Sequence, residues 1–276
     1  MRHAISDSSI GKSLADHYKL NFGLLLLSAA ILMVGMSLVS SVTIMPLFMS
    51  HLTGSLVLVG AVPALWHLGF VVPQLLGPAI YANKPIRKRA IACQVYAGSL
   101  ALVAFGGLVV AFAEAHKVLV LLSFFPMVVT YMGFVGIAHT AWIDVIGKVI
   151  GKDKQSRLLG YSHAAGGVMG AGAVWIATRM MGDTPFPQGF GYSMIAAGCL
   201  AATAGTLFFF LREQPSPTTN RAASGVFQTI KKIPRLYAAN RSLRSYAISR
   251  VVVGWGFAAF AFLTIYSVRE MGASEK

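Results

Sequence analysis

Residues 21–48 read Asn21-Phe-Gly-Leu-Leu-Leu-Leu-Ser-Ala-Ala-Ile-Leu-Met-Val-Gly-Met-Ser-Leu-Val-Ser-Ser-Val-Thr-Ile-Met-Pro-Leu-Phe48, without one Asp, Glu, Lys or Arg. A helix needs about 20 apolar residues to cross a hydrocarbon layer about 30 Å thick. The apolar core of a secretory leader is only about 7–15 residues. The stretch is therefore expected to be a retained membrane span. Nothing in it alternates with period two, as the strands of a membrane barrel of about 9–11 residues would.

Comparable blocks recur along the chain: Ser55 to about Ala82, Ala90–Ala113, Lys117 to about Ile146, Gly160–Met181, Phe190–Leu211 and about Ala247–Val268. Charged residues make up 12% of the 276 residues, about half the usual share of about 25%, and mean hydropathy is +0.67. So few charges cannot cover a soluble globule of this size. The composition excludes an ordinary soluble enzyme, a disordered chain, a secreted disulfide scaffold and a coiled coil. The expected class is all-α: a polytopic membrane protein with a bundle of six transmembrane helices and a seventh after it. Cys93 and Cys199 both fall in apolar stretches and supply neither a disulfide framework nor a metal-ligand spacing.

The formal net charge of +14 would suggest a nucleic-acid partner in a soluble chain. Here its placement matters more than its size. The N-terminal tail carries Arg2, Lys12 and Lys19, and the loop after the second block carries Lys84, Arg87, Lys88 and Arg89. The loop after the fourth carries Lys148, Lys152, Lys154 and Arg157. The connection after the sixth carries Arg212, Arg221, Lys231, Lys232, Arg235, Arg241, Arg244 and Arg250. The opposite loops hold only Lys117 and Arg179. Basic loops stay in the cytoplasm, so the N-terminus is expected there, in a membrane of the bacterial cytoplasmic type. The charge orients the chain against anionic lipid, and no nucleic acid is expected.

The blocks group into parts. Residues 1–20 form a cytoplasmic tail, and 21–211 hold six spans joined by short outer turns. Residues 212–246 form a basic linker that opens Gln214-Pro-Ser-Pro-Thr-Thr-Asn220. The linker continues with Val226, Phe227, Ile230, Ile233, Leu236 and Tyr237 at helical spacing, as in a helix lying in the interface. Residues 247–276 contain the seventh span.

Three motifs sit at fixed places in that order. The second block ends Gly77-Pro-Ala-Ile-Tyr-Ala-Asn-Lys-Pro-Ile-Arg-Lys-Arg89, the connection after the fourth contains Gln155-Ser-Arg-Leu-Leu-Gly160, and the seventh ends Phe262-Leu-Thr-Ile-Tyr-Ser-Val-Arg-Glu-Met-Gly272. The whole resembles the N-terminal half of a major facilitator superfamily transporter continued into the first helix of its second half. Gly77 and the basic run Arg87, Lys88, Arg89 match the family's loop between helices two and three. Tyr81 and Ala82 stand where the pattern has its acidic residue and Arg, so the usual cytoplasmic latch loses its acidic member there. Arg157 and Gly160 match the loop between helices four and five. The resemblance implies a second helical half, so the chain is expected to be incomplete at its C-terminus. A complete seven-helix protein is the alternative.

Polar side chains inside spans are costly and mark function or helix contacts. His67 and Gln74 lie seven residues apart, nearly on one helix face with Gly60 and Pro63. His67 is either a ligand for substrate or proton, or a neutral ring bonded to a neighbouring helix. The resemblance makes the first and fourth helices line the central cavity, so Tyr131 and His139 become candidates for the solute path. Ser37 and Ser41 in the first span can bond helix carbonyls or a solute. Asp144, near the basic loop that follows it, is expected to pair with a cation there. Gly166 and Gly170 form a small-xxx-small step suited to close helix approach.

No catalytic triad, phosphate-binding glycine loop, metal constellation or cofactor motif is present. The expected function is secondary active transport of a small solute by alternating access, with no bond chemistry. The alternatives are a non-transporting membrane scaffold or receptor and, less favoured, a membrane enzyme. The expected partners are the lipid bilayer, the unidentified solute and a further helical half.

Overall fold

The computed structural model describes residues 2–184 and 186–215, with isolated positions between 231 and 271. Side chains are described from 17 onward, except those of 180–183. The expected interfacial helix at 226–237 and the seventh span therefore lie outside the described residues, apart from single positions.

The described chain is helical, with no strand among these residues. Its helices are α1 (Arg2–Leu38), α2 (Ile44–Leu52), α3 (Leu56–Gln74), α4 (Gly77–Tyr81), α5 (Lys88–Phe112), α6 (Lys117–Val149), α7 (Lys152–Asp183) and α8 (Gln188–Phe210). Five of them are long and apolar enough to cross a membrane: His17–Leu38 within α1, then α3, α5, α6 and α8. The fifth expected span, α7, is as long as the others but less apolar. Tyr161, Ser162, His163 and the glycines at 166, 167, 170 and 172 dilute its aliphatic content.

The first expected span is not one helix. It stops at Leu38, passes through a turn at Val39–Thr43 and resumes as α2. Pro46 has no N–H to give to the carbonyl of Val42, and Ser40, Ser41 and Thr43 compete with the backbone for hydrogen bonds. Met45 N–H reaches back five residues to Ser40 O at 3.0 Å, and Leu47 N–H bonds Thr43 O at 3.1 Å. The second span is interrupted too. Pro73 and Pro78 each lack a donor, and the chain tightens into three-residue bonds, Leu75 N–H to Val72 O and Leu76 N–H to Pro73 O, before α4 begins. The connection between α6 and α7 is only Ile150–Gly151, because Lys152–Leu159, expected as loop, are the first turns of α7.

α1 packs on α7 and α8, α5 on α6 and α8, and α3 on α6. Between lipid-bathed helices there is little hydrophobic drive, so small residues that let backbones approach decide the seams. A methyl group on Gly136 of α6 would fall 2.1 Å from the Phe70 carbonyl oxygen of α3. Gly106 and Gly191 face each other across α5 and α8 in the same way. Aromatic side chains fill what remains: Phe48 of α2 meets Phe105, Phe124 and Phe190 at centroid distances of 6.4, 6.0 and 5.4 Å. A second core of Tyr81, Ile91, Val145, Ile150, Leu158 and Phe208 lies nearer the basic end. Large apolar side chains such as Leu100, Leu122, Val168 and Trp175 stand exposed on the outside, as a lipid-facing surface requires.

Candidate functional site

Two groups of polar side chains stand out within this apolar frame. The first joins α3 and α6. Gln74 Nε2 lies 3.1 Å from His139 Nδ1. The amide nitrogen can only donate, so the imidazole accepts there and a neutral ring carries its proton on Nε2. His139 is half-buried. Its ring meets Phe70 edge-on at 5.3 Å and stacks on Trp142 at 5.5 Å, one turn further along α6. Gly77 sits where α4 meets α6: a Cβ there would fall 2.0 Å from Thr140 Oγ1.

His67 is exposed, and its Nδ1 is 2.8 Å from the carbonyl of Pro63 in its own helix. That carbonyl takes the Nδ1 proton of a neutral ring, whose Nε2 is then an acceptor with no hydrogen-bond partner among the described residues. Gly60, two turns earlier on the same face, lies against the ring of Phe262. The expected stripe therefore divides: Gln74 turns to α6, while His67 is exposed among the described residues.

The other path candidates are placed differently. Tyr131 is 1% exposed and packs edge-on against Trp66 at 5.8 Å, so it belongs to the core rather than to an open wall. Ser37 Oγ donates to the Met33 carbonyl at 2.9 Å and lies at the α1–α7 seam beside Gly170. Ser41 is half-buried in the turn between α1 and α2. Gly166 faces Met33 across the same seam, with no room for a Cβ.

The second group ties together the ends of α5, α6 and α8. Arg87 pairs with Asp144 at 2.9 Å, and Lys148 reaches both Asp144 at 2.8 Å and Glu213 at 3.0 Å. The Glu213 side chain is fully enclosed. It accepts the backbone N–H of Arg87 at 2.9 Å and of Lys88 at 2.8 Å, capping the start of α5. Lys88 Nζ donates to the Phe209 carbonyl at 3.1 Å and to that of Leu211, satisfying the end of α8. The Asn21 side chain holds the same segment through both backbone groups of Arg212, at 3.2 and 2.9 Å. Tyr81 donates its hydroxyl to Gln94 and takes no part in the cluster. Asp144 thus pairs across to Arg87 and with Lys148, which stands one turn on in α6 rather than in a loop. Arg89, Arg157 and Gly160 are exposed, and a Cβ on Gly160 would meet open space.

Glu213 and Asn21 escaped the sequence analysis. The available signal for Glu213 was its isolation as an acid at the very end of a span amid cations. Among the described residues no three His, Cys, Asp or Glu are placed to hold a metal ion. Chemically, the Gln74–His139 pair can hold a proton or bond a solute in an apolar seam, and the cluster can fix three helix ends as a unit. Comparisons of the chain with protein-family models, curated proteins and solved structures find no match.

Proposed function

We propose that the chain works as a secondary active transporter of the major facilitator type. It moves a small solute by alternating access, with its basic end in the cytoplasm. The observation that carries this reading is the placement of the imidazoles. In spans whose central parts hold no charged residue, His139 is bonded across the α3–α6 seam to Gln74, and the second ring nitrogen of His67 has no partner among the described residues. Polar groups at that depth are expensive unless water, a solute or a protein partner meets them. His139 has its partner, and His67 Nε2 has none among the described residues, which leaves it to water or solute. The cluster around Glu213 supports the reading as well, since helices that rock as a body need their ends held together.

Cysteine accessibility tests it. Cys93 and Cys199 are both exposed and must first be replaced. In membranes carrying the full chain, His67→Cys should react with a small charged thiol reagent, and a lipid-facing Leu100→Cys should not. A panel of sugars, amino acids and organic acids should contain a member that slows labelling at position 67. Labelling at 67 no faster than at 100 would remove the water-filled path and the transport reading with it.

A further inference from the structure

At the basic end of the bundle lies a cavity of about 700 Å³, within the range of about 300–1,000 Å³ typical of small-ligand sites. Four parts of the chain wall it. These are α1 at His17 and Asn21, the loop and helix start from Asn83 to Arg89, the end of α6 at Lys148, and the segment Leu211–Pro215 after α8. Five cations line it, Lys84, Lys88, Arg89, Lys148 and Arg212, against one carboxylate, Glu213.

That carboxylate is already committed. Both its oxygens are engaged by the α5 backbone N–H groups and by Lys148, and none of its side chain is exposed. Lys148 is further neutralised by Asp144, and Lys88 points its ammonium at the α8 carbonyls. Lys84, Arg89 and Arg212 remain, and no carboxylate among the described residues pairs with them. Lys84 Nζ lies over the face of Tyr81, 5.9 Å from the ring centroid. The fold therefore gathers around one concavity three cations that no carboxylate among the described residues neutralises, and they repel one another until an anion joins them. Two of the three are guanidiniums, whose planar forks match the oxygens of a phosphate group. The cavity also sits where α5 begins and α6 and α8 end, which in a bilayer spanned by those helices is the headgroup level, where basic pockets between helices bind anionic headgroups.

We propose that this cavity is a binding site for a phosphate group, supplied either by the headgroup of an anionic lipid or by a free phosphate anion, with Lys84, Arg89 and Arg212 as its ligands. The site does not depend on transport: it would serve equally in a scaffold, since anion binding ties α1, α5 and the chain after α8 together.

The test uses the full chain purified in a neutral detergent and reads thermal stabilisation. The probes are short-chain phosphatidylglycerol, phosphatidylcholine with the same acyl chains, and inorganic phosphate, with sodium chloride matching ionic strength. Phosphatidylglycerol should stabilise the protein, and phosphatidylcholine, whose ammonium offsets its phosphate, should not. Arg89→Gln with Arg212→Gln should raise the half-saturating concentration about thirtyfold, as expected for two cations at a membrane surface. Lys152→Gln, an exposed cation on α7 outside the cavity, should change it less than about threefold. If the double variant does not fold, Lys84→Gln alone should give about a fivefold rise. A response to inorganic phosphate with the same dependence on these residues identifies the free anion as the source, and a response to phosphatidylglycerol alone identifies the lipid. Stabilisation that phosphatidylcholine matches, that survives the cavity substitutions, or that Lys152→Gln weakens equally would overturn the site.

Discussion

Ser193 of α8 donates its hydroxyl to the carbonyl oxygen of Leu38 at 2.8 Å, at the residue where the first span breaks. Both partners are buried, and 155 residues separate them in the chain. A helix that stops inside an apolar bundle leaves carbonyls without donors, and this bond takes up one of them. Ser193→Ala should therefore cost about 1–2 kcal/mol of stability, with Ser193→Thr much milder. Unfolding of the purified protein in mixed micelles would measure this. Equal midpoints for Ala and wild type would mean the Leu38 carbonyl finds water or another donor.

The glycine seams allow a sharper comparison. Gly136→Ala forces a methyl onto the Phe70 carbonyl, and Gly166→Leu drives a side chain into Met33, so each should lower the yield of folded protein. The expected cost is about 1–3 kcal/mol, the usual penalty for overpacking. Gly107→Ala and Gly167→Ala, with nothing within 4 Å of the new Cβ, should be neutral or slightly stabilising. Val168→Leu, on an exposed position, is a further neutral control. Size-exclusion profiles of the variants would separate the two groups.

Gln74 and His139 should couple energetically. In a double-mutant cycle with Gln74→Leu and His139→Phe, the interaction term should be about 0.5–2 kcal/mol, the range for hydrogen bonds between membrane helices. Additive effects would show that each side chain is satisfied separately.

Within the charge cluster the members should differ in weight. Glu213 is enclosed and serves two backbone donors and Lys148, whereas Arg87 and Asp144 are 20% and 37% exposed. Glu213→Gln is expected to destabilise by about 3 kcal/mol, near the cost of breaking a buried pair. Arg87→Gln should cost no more than about 1 kcal/mol and lose its effect at high salt. The reverse order, read from thermal midpoints at low and high salt, would place the latch on Arg87–Asp144 instead.

Orientation is testable by fusion. A reporter joined after Arg89 or Lys154 should report the cytoplasm, and one placed within residues 182–189 should report the outside, because the basic residues cluster on one set of loops. The opposite labelling would reverse the proposed topology.

Hydropathy is a sum over neighbouring residues, so the sequence alone located the apolar stretches of α1, α3, α5, α6 and α8 and the small-residue step at Gly166 and Gly170. Helix ends came within a few residues at α5, α6 and α8 for the same reason. Whether Pro46 with its serines kinks a helix or breaks it depends on what can satisfy the opened carbonyls, and the donor, Ser193, comes from α8. Likewise, Gln74 meets His139 across 65 residues because glycines on α6 let α3 approach, and Tyr131 of that same helix turns into the core. Glu213 became a cap for α5 only when folding brought the end of α8 beside Arg87 and Lys88. Such pairings depend on which helices become neighbours and on their rotation about their axes, and side-chain packing, a property of the assembled bundle, decides both.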